Sequence, residues 1–142
     1  VMDAIAVTAV QDFVRISAPS DAILEIHEVK ITQEGSTTSD QVAAQLQRSS
    51  TDGTGSAATP EQLESGSPAF GGTAVTNLTV ATTLSDLLWR EGFNALNGFH
   101  WLPTPEDRVI VSPSGRFVVR LDVAPAASTT FSCSVKFAEI GG

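Results

Sequence analysis

Between residues 116 and 137 apolar and polar residues alternate so regularly that extended strands are the only conformation they suit. Phe117, Val119, Leu121 and Val123 fall on one side, against Arg116, Arg120 and Asp122 on the other. Then Phe131, Cys133, Val135 and Phe137 oppose Ser132, Ser134 and Lys136. Successive side chains of a strand point to opposite faces, so period-two patterning gives each strand one dry and one wet face. That is the signature of antiparallel sheet covered on one side only. Burial is expected for Phe117, Val119, Leu121, Phe131, Val135 and Phe137. Weaker alternation marks strand candidates at 4–10, 12–18, 42–48, 74–80, 84–90 and 107–111.

The stretch 22–33 changes phase partway. Leu24 and Ile26 share one parity, whereas Val29 and Ile31 share the other. A bulge or corner near His27 and Glu28 accounts for this, and so does a strand passing between two layers. Turn chemistry separates the candidates: Pro19-Ser20-Asp21, Pro103-Thr104-Pro105, Pro113-Ser114-Gly115 and Pro125-Ala126-Ala127-Ser128. About nine antiparallel strands without long helices predict an all-β jelly roll or β-sandwich, and 142 residues suit one domain, 1–142. A Ser/Thr/Gly/Ala-rich stretch at 49–72 is too long for a hairpin and is predicted to be a surface loop. Within it, Thr59-Pro60-Glu61-Gln62 reads as a helix start ended by Gly66, so one short helix is expected there.

Eight basic against sixteen acidic residues leave a net charge of −8. Binding to nucleic acid or to an anionic membrane is disfavoured, because both reward clustered Lys and Arg. No apolar run approaches the roughly 20 residues of a membrane-spanning helix. Residues 1–18 lack the basic start and apolar block of a signal peptide.

Chemistry is sparse. His27 and His100 are the two histidines, in unrelated contexts, whereas a metal site in a small jelly roll needs several His and a carboxylate converging. His27 beside Glu25 and Glu28 supplies half a site at most, and a bulge histidine is the simpler reading. No Ser lies in GxSxG, and the Gly residues at 53, 55, 71 and 72 do not follow a strand and open a helix. Cys133 lies mid-strand between two Ser, reads as a small buried thiol and excludes an internal disulfide. Glu61 with Glu64 and Glu106 with Asp107 read as solvated turn residues. Asn77-Leu78-Thr79 fits a glycosylation sequon but falls inside a strand. No catalytic, cofactor-binding or metal-ligating residue is expected, and the chain reads as a binding protein rather than an enzyme.

Trp89, Phe93, Phe99 and Trp101 cluster around His100. They are either core or a surface that stacks on sugar rings or anchors an interface. The small apolar run Ala4-Ile5-Ala6-Val7 suits pairing with a neighbouring subunit or covering a sheet edge. Ile5, Val7, Trp89, Phe99 and Trp101 are therefore the candidate interface residues.

Two passages resemble a known group. One is Pro105-Glu106-Asp107-Arg108-Val109-Ile110-Val111-Ser112-Pro113-Ser114-Gly115-Arg116, followed by Ala124-Pro125-Ala126 and Glu139-Ile140-Gly141-Gly142. The other is Thr59-Pro60-Glu61-Gln62-Leu63-Glu64-Ser65-Gly66-Ser67-Pro68-Ala69. Together they are similar to the jelly-roll decoration (cement) proteins of tailed-bacteriophage heads. The resemblance implies a virion protein: a homotrimer that binds the major capsid protein on the outer shell and braces it without a cofactor. It carries no ligand motif onto particular residues. A receptor- or carbohydrate-binding module of a phage tail or fibre, using the stretch between Trp89 and Trp101, is the alternative.

Overall fold

A computed structural model describes residues 1–35 and 39–141, so Gly142 of the last motif lies outside the described residues. The described chain is all-β. In chain order its strands are β1 (Met2–Val7), β2 (Gln11–Ser17), β3 (Ala22–Glu34), β4 (Gln41–Ser49), β5 (Thr54–Ala58) and β6 (Thr73–Val80). After these come β7 (Leu84–Asn94), β8 (Phe99–Trp101), β9 (Val109–Val111), β10 (Arg116–Leu121) and β11 (Thr129–Gly141). They form two antiparallel sheets packed face to face. One runs β1-β11-β3, with β8 and β9 side by side along the outer side of β3. The other runs β5-β6-β2-β10-β4-β7.

The phase change in β3 is a bulge. Lys136 of β11 pairs with Glu28, and the next residue, Phe137, pairs with Ile26, leaving His27 as the extra residue. The bulge resets the parity, so Leu24, Ile26, Val29 and Ile31 all face the core and all are fully buried. It also divides the strand between two neighbours, with β9 pairing to 24–26 and β8 to 29–31. β1 uses the same device. Its register slips between Met2 and Ile5, Ala4 takes φ 46°, and the Ala4 N–H donates to Ser132 Oγ at 3.0 Å. Met2 and Val7 are thereby both buried.

Between the sheets, Phe13 meets Phe131 with ring centroids 5.7 Å apart. Phe117, Val119, Leu121 and Phe131 are fully buried as expected, while Val135 and Phe137 are partly buried at the margin of the core. Val123 departs from expectation: β10 ends at Leu121, and Val123 lies exposed beyond it.

The outer face of the second sheet is not wet at its centre. Val118, Asp12, Gln45, Gln47 and Arg15 all point outward from buried positions. Two loops roof them. The link between β6 and β7 lays Thr82 over the face, where its N–H and hydroxyl donate to Asp12 Oδ2 at 2.6 and 2.7 Å. Arg120 meets the other Asp12 oxygen at 3.2 Å. From the β4 to β5 turn, Asp52 accepts from Arg15 and Arg116. A carboxylate with neither water nor partners would be untenable there, so the buried charge requires the roof.

Two features of the 49–72 stretch differ from expectation. Residues 54–58 form β5, paired with β6, and no helix forms at 59–66. Leu63, the large apolar side chain of that segment, is 90% exposed, so a helix there would bury nothing, and one this short does not persist without packing. Gln62 Nε2 instead donates to the Pro68 carbonyl at 2.6 Å, and Ser65 and Gly66 make a turn with Gly66 at φ 93°. The loop returns by docking Phe70 edge-on to Phe137, centroids 5.0 Å apart. At Gly72 a Cβ would sit 2.1 Å from the Ser17 carbonyl, so glycine alone fits. With β5 and the short β8, eleven strands are present among the described residues where about nine were expected.

Candidate functional site

The aromatic stretch lies along one side of the sandwich, where β7 of one sheet runs beside β8 and β9 of the other. Among the described residues β7 is an edge strand, paired with β4 alone. Its register slips twice: Leu46 pairs with Trp89 while Gln47 pairs with Leu87, and Arg48 pairs with Asp86 while Ser49 pairs with Leu84. Leu88 and Ser85 are therefore out of the ladder. Leu88 turns toward the core, whereas Trp89 stays 47% exposed with its indole N–H donating to Glu91 Oε2 at 3.2 Å. Leu84 and Leu87 are exposed on the same strand.

Across the gap, Phe99 packs on Phe93 at 5.8 Å and closes the core. Trp101 is 9% exposed at the floor of a cleft that Leu88, Trp89, Leu102 and Val109 line. Leu102 stands 67% exposed at its lip, while Ile110 of β9, opposite Glu25, is exposed on the outer face of the first sheet. Of the five residues expected at an interface, Trp89 alone is clearly on the surface. Phe99, Trp101 and Val7 are core, and Ile5 is half-buried within β1, which covers the edge of β11. The surface residues that sequence reasoning missed are Leu84, Leu87, Leu102 and Ile110. One sign was present: Leu87-Leu88-Trp89 breaks alternation with three apolar residues in a row, more than one dry face can take.

The cleft has an acidic border. Asp86 and Glu91 lie on β7, and Glu106 and Asp107 lie in a single 3-10 turn (Pro105–Asp107) between β8 and β9. Asp107 accepts from the Thr104 hydroxyl at 3.0 Å. The neighbouring cations are already committed. Arg90 bonds Asp122 at 2.7 Å, Arg108 bonds Glu25 at 2.7 Å, and Arg48 donates to the Ile110 carbonyl at 3.1 Å.

Both histidines sit beside glutamates on the outer face of the first sheet. His100 Nε2 is 2.7 Å from Glu28, which also takes Lys136 at 2.5 Å. The Lys136 bond and then the His100 bond hold the Glu28 carboxyl below the usual carboxylate range. The Arg108 bond chiefly does the same for Glu25. His27 Nε2 lies 2.9 Å from Glu25, close enough for an ion pair but poorly aligned for a hydrogen bond. His100 thus ties β8 to β3, while the His27 contact stays within β3. Among the described residues, no group of three or more His, Cys, Asp or Glu is placed to hold a metal ion. Burial pushes the Cys133 thiol up to about 12, away from nucleophilic use at neutral pH. No helix among the described residues is long and apolar enough to cross a membrane.

Comparison with protein-family models, with curated proteins and with solved structures finds no match to this chain.

Proposed function

We propose that this chain is a non-enzymatic attachment protein, a jelly-roll-type sandwich that decorates the outside of a phage capsid as a trimer and braces the shell. The observation that carries the attachment role is the cleft between β7 and β8, where Trp89 and Leu102 stand exposed beside Leu88, Trp101 and Val109. Isolated exposed apolar residues need no explanation, but an exposed tryptophan and leucine lining one concave site mark a contact surface. The capsid as partner rests on the sequence resemblance. The jelly-roll reading is supported by a chain that passes repeatedly between the sheets, from β1 to β2, β3 and β4 and again from β9 to β10 and β11. Three copies about one axis would turn a modest site into a tight attachment through avidity.

Carbohydrate stacking is the weaker reading, because it calls for both tryptophans on the surface and Trp101 is at the cleft floor. The test is light scattering for mass in solution, followed by co-sedimentation with empty phage heads. A mass near three times the 14.8 kDa of the chain, with binding to heads, is expected. A strict monomer at high micromolar concentration that stays in the supernatant would overturn the reading.

A further inference from the structure

We infer that the β7 side takes an extended segment of a foreign protein, presenting apolar side chains flanked by Lys or Arg, and is not the contact between copies of this chain. This rests on the attachment reading above and names the chemistry of the partner.

The backbone offers the first argument. From Trp89 to Asn94 the register with β4 is unbroken. The Ala95 N–H donates inward to the Asp40 carbonyl at 2.8 Å, continuing that register. Antiparallel ladders alternate, so Glu91 and Phe93 also bond inward while the N–H and C=O of Arg90 and Gly92 point outward. A short extended segment can pair there beside Trp89. The slips at Ser85 and Leu88 confine this stretch to about six residues. Bulged edges resist edge-to-edge pairing of identical strands.

Charge separates the foreign segment from a second copy. Seven of the eight cations are engaged within the chain: Arg15 and Arg116 with Asp52, Arg90 with Asp122, Arg108 with Glu25, Arg120 with Asp12, Lys136 with Glu28, and Arg48 with a carbonyl. Lys30 is exposed on the outer face of the first sheet, with no ion pair or side-chain hydrogen bond among the described residues. No copy therefore has a basic patch to offer the border of Asp86, Glu91, Glu106 and Asp107. A self-contact there would set carboxylates against an acidic surface, whereas a foreign Lys or Arg meets them favourably. The same border argues against nucleic acid and anionic lipid.

The test uses a displayed random-peptide library selected on the immobilised full chain, with Trp89→Ser, Glu91→Lys and Asp86→Lys as comparison variants. All three positions are exposed, so urea unfolding should match the parent. Selected peptides should combine apolar residues with Lys or Arg. Synthesised, they should lose at least about tenfold in affinity to Trp89→Ser and about as much to the double charge reversal. Raising the salt should weaken them, and the mass in solution should not change in any variant. The inference is overturned by peptides that lack basic residues, by no enrichment over Trp89→Ser, or by a fall in oligomer mass in the edge variants. Phage heads that bind parent and Trp89→Ser equally would remove the β7 assignment and leave the capsid reading standing. Peptides behaving as expected, with heads left unbound, would do the reverse.

Discussion

Deleting a residue from the middle of a core strand ordinarily ruins it, and the bulge in β3 makes one deletion an exception. With His27 removed, Leu24, Ile26, Glu28, Val29, Lys30 and Ile31 alternate without interruption, and the pairing of Lys136 with Glu28 and Phe137 with Ile26 becomes an ordinary ladder. All four apolar side chains keep their place. What is lost is the His27 contact with Glu25 at the surface, about 0–1 kcal/mol for a pair of this kind, and the local twist of the bulge. The total should be roughly 1–2 kcal/mol. Deleting Lys30, three positions on, has no such escape. Either Ile31 leaves the core, or the bulge is absorbed by turning Glu28 inward and Val29 outward. Each outcome exposes one fully buried side chain, about 1.5–3 kcal/mol, and leaves a cavity or an unsatisfied polar group, about 1–3 kcal/mol more. The expected loss is therefore roughly 3–6 kcal/mol, a large share of the stability of a domain this size. Urea unfolding followed by tryptophan fluorescence measures both deletions against the parent. Equal losses, or a greater loss for the His27 deletion, would refute the assignment of His27 as the extra residue.

Cys133 should be inert toward a thiol reagent at pH 8 in the folded protein and react fully in concentrated urea, because it is buried and its pKa is pushed up to about 12. Reaction of the native protein at the rate of a free thiol would mean that the sandwich opens at β11. Glu25 and Glu28 titrate below their ordinary 4.5 in the folded state, so both stabilise the fold above that value and cease to do so as the pH falls through their lowered values. Thermal melts of Glu25→Gln/Glu28→Gln should therefore show a smaller decline between about pH 5 and pH 3 than the parent. An identical decline would show that these pairs do not anchor β8 and β9.

Much of the fold was legible because patterning in strands is a local property. β10 and β11 announce themselves by alternation, and even the bulge could be placed to within a residue from the parity of four apolar side chains. Three features were not local. β8 has three residues, too few to show a period, and exists because β3 offers it a partner. β5 reads Thr-Gly-Ser-Ala-Ala, with no large apolar side chain to mark it, and forms by extending β6. The helix start at 59–62 had the right caps, yet caps act only on a helix that has somewhere to pack. The roof over the second sheet was the least readable. It requires Thr82 and Asp52, far apart in sequence, to converge on Asp12 and Arg15 from opposite ends.

The site was half-legible for a related reason. A cluster of aromatics says that large side chains will gather, but which of them face water depends on where the sheet ends. Because β7 is the last strand of its sheet, Trp89 projects beyond the cover of β8 while Trp101, on the opposing sheet, tucks beneath. Strand order is a long-range property that periodicity does not encode. The charge balance, by contrast, was visible from composition and takes on meaning only with the structure. With seven of eight cations committed internally, much of the net −8 sits on carboxylates with no ion pair among the described residues, and four of these border the cleft. Such a border costs little in solution, where each carboxylate is hydrated. It becomes selective only on contact, when that water is lost and an opposing surface must supply positive charge in its place.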